Sequence, residues 1–129
     1  MTVELRLPSA WAEFVPAGAV SDPAAGPPLR WGILGAGGIA HKFAANAREG
    51  TACQVVAVGS RDLARAEQFA RDEGIPAAVG DYAELCARED VDAVYVATPH
   101  SHHRDTAMIA IDAGRHVLVE KAFTRDALE

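Results

Sequence analysis

A glycine cluster, Gly35-Ala36-Gly37-Gly38, sits between a short apolar run and a stretch with helical spacing, and it limits the possible fold more than any other feature. Before it, Leu29-Arg30-Trp31-Gly32-Ile33-Leu34 predicts a buried strand. After it, Ile39, Phe43 and Ala47 recur at the spacing of a helix face. Gly35-x-Gly37-x-x-Ala40 is therefore a GxGxx[G/A] pattern in a strand–turn–helix context, where a dinucleotide diphosphate is held. Gly35 permits a tight turn out of the strand. Gly37 presents no side chain, so a diphosphate can approach the backbone. Ala40 is small enough for the helix to pack close to the strand. The free N–H groups at the helix start, among Gly37, Gly38 and Ile39, and the positive end of the helix dipole face the phosphates. The alternative is a glycine-rich turn of purely structural use.

The rest of the chain repeats the alternation. Gln54 to Gly59 predicts a second strand. Leu63, Ala66, Phe69 and Ala70 mark an amphipathic helix that ends at Gly74. A weak third strand is expected around Pro76 to Val79, and Asp81 with Glu84 resembles a capping box that opens a short helix through Leu85. Ala93 to Ala97 predicts a fourth strand, about His103 to Ala113 a helix, and His116 to Val119 a fifth strand. Thr124 is expected to cap a last helix. Apolar strands without strict alternation imply a parallel sheet buried on both faces. The expected class is α/β, a Rossmann doubly wound parallel sheet over residues 29–129.

The end of the second strand bears on cofactor choice. An acidic residue there accepts hydrogen bonds from the ribose hydroxyls of NAD and repels a 2′-phosphate. This chain has Gly59-Ser60-Arg61-Asp62. A serine hydroxyl and a guanidinium suit a 2′-phosphate, and an arginine can stack on adenine. NADP is the favoured cofactor. NAD stays possible through Asp62, which either reaches the ribose or caps the following helix.

Composition excludes several classes. The 129 residues carry 12 basic and 18 acidic side chains, a net charge of −6. Nucleic-acid or anionic-membrane partners usually leave a basic excess. Cys53 and Cys86 form no CxxC and suit reduced cytosolic thiols. No apolar run approaches a membrane span, and Glu4 and Arg6 interrupt any signal-like core, so a cytoplasmic location is expected. Residues 1–28 hold Pro8, Pro16, Pro23, Pro27 and Pro28 and predict a flexible leader, within which Trp11, Phe14 and Val15 are apolar enough to dock.

Four passages carry a family resemblance: Arg30 to Ala40; Val58-Gly59-Ser60-Arg61-Asp62; Ala97-Thr98-Pro99-His100 with His103; and Ala113 to Lys121, which closes on Val119-Glu120-Lys121. Together they resemble the glucose-fructose oxidoreductase/inositol dehydrogenase (Gfo/Idh/MocA) family over about residues 30–129, with dihydrodiol-dehydrogenase-like members most similar. The resemblance implies an NAD(P)-dependent oxidoreductase acting on a sugar, polyol or dihydrodiol. It places Gly35, Ala36, Gly37, Gly38, Ile39, Ser60, Arg61, Thr98, Pro99, His100, His103, Glu120 and Lys121 at the cofactor. Lys121 is also the catalytic candidate, reaching the oxygen of the reacting carbon. Ala122 departs from the family's Glu-Lys-Pro signature, so a cis turn there is not assumed. The family's sixth strand and C-terminal α/β domain are expected to be missing by Glu129. That predicts a small-molecule substrate only where the second domain is present, and self-association of exposed apolar surface.

Other constellations carry bland readings. His100, His102 and His103 need not converge on a metal, and no metal site is expected. His41 reads as a surface or packing residue, and His116 as structural. Glu89, Asp90 and Asp92 read as a solvated turn. Arg65, Glu67, Arg71 and Asp72 read as the charged face of a helix. A non-catalytic dinucleotide-binding module is the competing function. A methyltransferase is disfavoured by Ser60-Arg61 and Glu120-Lys121.

Overall fold

The computed structural model describes residues 22–128. Five strands and four helices alternate: β1 (Arg30–Leu34), α1 (Gly38–Gly50), β2 (Gln54–Gly59), α2 (Leu63–Glu73), β3 (Ala77–Val79), α3 (Tyr82–Ala87), β4 (Ala93–Val96), α4 (His103–Asp112) and β5 (His116–Val119). A 3-10 turn, His100–His102, leads into α4. The strands form one parallel sheet in the order β3-β2-β1-β4-β5. The chain runs outward from β1 to β3, then crosses back to β4 on the other side of β1. This crossover creates the switch point at the carboxyl ends of β1 and β4 where ligands of such sheets bind.

Each face of the sheet is covered by its own layer. Ile33, Val58 and Tyr95 pack against Ala40 and Ala44 of α1 and Ala66, Phe69 and Ala70 of α2. On the opposite face Leu34, Ala57, Val94 and Val96 pack against Leu85 and Cys86 of α3 and Ala107 and Ala110 of α4. The alanines let the helices lie close, and the central strands β1, β2 and β4 are covered on both sides as a parallel sheet requires. Burial pushes the Cys86 thiol up to about 11.

Local chemistry sets the helix ends. Asp62 caps α2, its side chain accepting from the N–H groups of Ala64 and Arg65, and Gly74 closes that helix in the left-handed conformation. Asp81 caps α3 through the Glu84 N–H at 2.9 Å.

Several expectations change. The outer strand β5 is only half covered: Val117 and Val119 face the α3/α4 layer, while His116 and Leu118 lie on the other face, which no described helix covers. Among the described residues no helix begins after Thr124: its hydroxyl donates to the Asp126 carbonyl at 2.8 Å in a turn. The acidic turn before β4 is not merely solvated. Asp92 pairs with Arg30 at 2.7 Å and Asp90 with Arg88 at 2.8 Å. His41 does pack, stacking on Phe69 at 4.2 Å, and also pairs with Glu73 at 2.7 Å. The expected leader falls on residues 1–28, of which 1–21, with Trp11, Phe14 and Val15, lie outside the described residues. Within the remainder, Pro23–Ala25 form a 3-10 turn capped by Asp22. Among the described residues no helix is long and apolar enough to cross a membrane.

Candidate cofactor cleft

The chain leaves β1 at Gly35, whose φ of +105° suits glycine. A Cβ at this position would stand 2.7 Å from the Ala97 carbonyl oxygen, so the turn passes directly under the end of β4. Gly37 differs: a Cβ there would meet nothing within 4 Å. Its bare backbone therefore borders open space. Gly37 also serves as N-cap of α1 without any side-chain hydrogen bond. The first helical N–H groups, those of Gly38 and Ile39, find no acceptor among the described residues. Unpartnered N–H groups beside open space, at the positive end of a helix of 13 residues, fit a diphosphate. Ala40 is fully buried against the sheet, as its small size predicts.

A cleft of about 330 Å³ opens here, lined by Gly35, Ala36 and Gly37 from the first turn, Ser60, Arg61, Asp62 and Arg65 after β2, Tyr82 of α3, and Ala97, Thr98 and Pro99 after β4. It lies over the carboxyl ends of β1, β2 and β4, where the strand order reverses. A second hollow of about 430 Å³ lies at the opposite end of the sheet, among Arg48, Cys53, Gln54 and Glu73. It is the larger of the two, but it holds neither the glycine turn nor the carboxyl ends of the strands.

The Asp62 alternatives resolve toward the cap. Its Oδ1 accepts from Ala64 N–H at 3.0 Å and from Arg65 N–H at 3.4 Å. The buried Ser60 hydroxyl accepts from the Asp62 N–H at 3.2 Å, which leaves its own proton free to donate. Arg61 is exposed at the cleft. Arg65 is more than part of a charged helix face: it borders the cleft, and its Nη2 donates to the Ala36 carbonyl at 3.5 Å. Arg61 stands just before the N-cap Asp62 and Arg65 in the first turn of α2, and both line the cleft.

Beyond β4 and β5 lie the remaining candidates. Thr98 is buried and Pro99 exposed at the cleft wall. His100 is exposed, its ring edge-on to that of His103 at 5.2 Å between centroids. His103 is fully buried, its ring nitrogens on the carbonyls of Thr98 and Ala122. Among the described residues no group of three histidines, cysteines or carboxylates is placed to hold a metal. The Glu120 carboxylate takes the Tyr95 hydroxyl on Oε2 and the Lys121 N–H on Oε1. Hydrogen bonding by Tyr95, then by the Lys121 main chain, holds Glu120 below the usual carboxylate range. Burial, then the bond to Glu120, raises Tyr95 above its ordinary phenol value. The Lys121 side chain is exposed, without a hydrogen-bond partner among the described residues. The Lys121–Ala122 peptide is cis, although Ala122 is not proline. Gly38, Ile39, His100, His103, Glu120 and Lys121 do not line the cleft itself.

Tyr95 escaped the sequence reading. The signal available was a phenol in an otherwise apolar strand, because a buried hydroxyl needs a partner.

Comparison with known proteins agrees with this geometry. The family model described as the Gfo/Idh/MocA oxidoreductase family, NAD-binding Rossmann fold, matches residues 29–128. A trans-1,2-dihydrobenzene-1,2-diol dehydrogenase from Danio rerio is 43% identical over 103 residues, 78% of this chain and 31% of the relative. The D-xylose 1-dehydrogenase (NADP(+)) of Hypocrea jecorina is 43% identical over 113 residues, 78% of this chain and 29% of the relative. Among solved structures, a 3-ketoreductase from Actinomadura kijaniata in complex with TDP-benzene and NADP superposes with a TM-score of 0.72 at 37% identity, covering 78% of this chain and 32% of that one. The chain thus spans about a third of the length of the relatives it matches.

Proposed function

The chain belongs to the Gfo/Idh/MocA oxidoreductase family, and on that premise we propose that it holds NADP for a hydride transfer at the hydroxyl or carbonyl carbon of a sugar, polyol or dihydrodiol. The observation that carries the cofactor choice is at the end of β2. The one carboxylate lining the cleft, Asp62, is committed to the N-cap of α2, while Ser60, Arg61 and Arg65 remain at the same wall. A 2′-phosphate meets a free hydroxyl proton and two guanidinium groups there, and no free carboxylate repels it.

The nicotinamide dinucleotide, when bound, supplies the hydride acceptor or donor. The chain's own residues bind and orient. Gly35, Ala36 and Gly37 shape the turn, and the N–H groups of Gly38 and Ile39 take the diphosphate. Thr98 and Pro99 form the wall beyond β4, with His100 and His103 behind them. Glu120 fixes the main chain at Lys121, whose ammonium orients the substrate oxygen and lowers the cost of negative charge developing on it. The substrate class rests on the names of the relatives, which act on a dihydrodiol, a xylose and a ketone.

We assign the chain to the cytoplasm, on its two unpaired thiols. Beyond the dinucleotide, its partners are a small-molecule substrate, where a substrate-binding domain is present, and a second copy of the chain. Neither nucleic acid nor membrane is a partner, in keeping with the acidic charge.

Adenosine 2′,5′-bisphosphate and AMP, which differ only in the 2′-phosphate, test the assignment of the 2′-phosphate site by calorimetry. The first is expected to bind at least tenfold more tightly, and Arg61→Ala or Arg65→Ala to remove most of the difference. Equal affinities in the unaltered chain contradict NADP preference.

A further inference from the structure

We infer that His103 is held as an imidazolium that clasps the Lys121 segment to the loop after β4, making it a positioning residue rather than a catalytic one. The inference rests on the reading of Lys121 given above only for its consequence in catalysis. The charge state stands on geometry alone.

The His103 ring is fully buried at the first residue of α4. Its Nδ1 lies 2.7 Å from the Ala122 carbonyl oxygen and its Nε2 lies 2.8 Å from the Thr98 carbonyl oxygen. A main-chain carbonyl can only accept. A neutral imidazole carries one N–H, so one of these two contacts would set a nitrogen lone pair against an oxygen lone pair. The imidazolium donates at both positions and satisfies both. Protonation on both nitrogens is the only state in which neither contact is repulsive.

The surroundings support a positive charge. Glu120, two residues before Ala122, is held below the usual carboxylate range, first by the Tyr95 hydroxyl and then by the Lys121 N–H. Tyr95, which donates to that carboxylate from β4, is neutral, its phenol raised by burial and by Glu120. The opposing cation, Lys121, is exposed and therefore screened by water. His100 presents its ring edge-on from the 3-10 turn. Arg104 and Asp105, next along α4, are exposed and pair with each other at 2.9 Å. A buried cation is costly unless its donors are satisfied, and here both ring nitrogens meet a carbonyl oxygen.

The position of the clasp gives it a role. Thr98 belongs to the cleft wall, and Ala122 follows Lys121 directly. The Lys121 N–H is held by Glu120 Oε1 at 3.0 Å. Lys121 is thus gripped on its amino side by Glu120 and on its carboxyl side by His103. Loss of one proton from His103 releases one of the two carbonyls, either at the cleft wall or at the lysine segment. Folding of the cleft and placement of Lys121 are in this way coupled through a single ring.

The test is nitrogen NMR of the 129-residue protein labelled at histidine, recorded without cofactor at about pH 7. Both His103 ring nitrogens are expected at imidazolium positions, each with a slowly exchanging proton. One unprotonated ring nitrogen overturns the inference. The variant His103→Gln, which can donate from one end only, is expected to shift or broaden the Lys121, Ala122 and Thr98 amide signals while distant amides in α2 stay in place. Unchanged amides at Lys121 and Ala122 overturn the clasp. If the variant fails to fold, the ring signals of the unaltered protein still decide the charge state. A protein that shows the imidazolium yet binds no NADPH would overturn the cofactor reading and leave this inference standing.

Discussion

Asp62 Oδ1 accepts the Ala64 N–H at 3.0 Å, and this bond separates the role of the helix cap from that of the cofactor wall. The carboxylate that could have served a ribose is spent on the first turn of α2. Asp62→Ala is therefore expected to destabilise the fold by about 1 kcal/mol, the usual cost of a lost cap. The ratio of NADPH to NADH affinity should stay unchanged. Thermal unfolding and cofactor titration of the same variant check both halves, and a shift in the ratio would return Asp62 to the ribose.

Gly35 and Gly37 should respond in opposite ways to alanine. At Gly35 the new Cβ meets the Ala97 carbonyl at 2.7 Å with φ at +105°, so Gly35→Ala should cost about 3 kcal/mol. At Gly37 the Cβ meets nothing within 4 Å. Gly37→Ala, at the N-cap of α1, should cost no more than about 1 kcal/mol. It should nonetheless weaken NADPH at least tenfold, about 1.4 kcal/mol, because the methyl group occupies the approach of the diphosphate. Denaturant unfolding and fluorescence titration separate the two. Equal destabilisation by both variants would contradict the assignment of Gly37 to ligand approach.

Much of the cleft was legible in the sequence. Strand and helix order followed from period and glycine placement, and the strand–turn–helix context put Gly35, Ala36 and Gly37 at the cleft. What lay hidden depended on distance across the fold. Arg65 looked like any solvated helix arginine until α2 was placed beside the first turn. Asp92 looked like part of a loose acidic turn. Its partner Arg30 is 62 residues away and becomes a neighbour only through the β1–β4 pairing. Tyr95 and Glu120 are likewise joined only by the pairing of β4 with β5.

Acid should loosen the amino ends of the strands. The Arg30 guanidinium, then the Arg30 N–H, hold the Asp92 carboxyl down to about 2. A carboxyl depressed in the folded state adds stability that is fully present above its ordinary value of about 3.9 and is lost as pH falls toward about 2. Asp92→Asn should therefore lower stability at neutral pH and flatten its dependence between about pH 4 and about 2. Urea unfolding at stepped pH reads this slope, and an unchanged acid limb would discount the pair.

The two thiols should differ in reactivity. Hydrogen bonding by Thr51, then by the Leu29 main chain, holds Cys53 below the usual thiol value, whereas burial raises Cys86 to about 11. Iodoacetamide at about pH 8 should label Cys53 and leave Cys86 untouched until the protein unfolds. Mass spectrometry of the digested protein reads the two sites, and equal labelling of the native protein would contradict the buried position of Cys86.

The central claim is that the turn from Gly35 to Ile39, with the Ser60–Arg61–Arg65 wall, holds a dinucleotide. Titration of the folded protein with NADPH and with NADH, followed by nicotinamide fluorescence, tests it most directly. Saturable binding of both, tighter for NADPH, is the predicted result. A protein shown by circular dichroism to be folded, yet binding neither, would contradict the account.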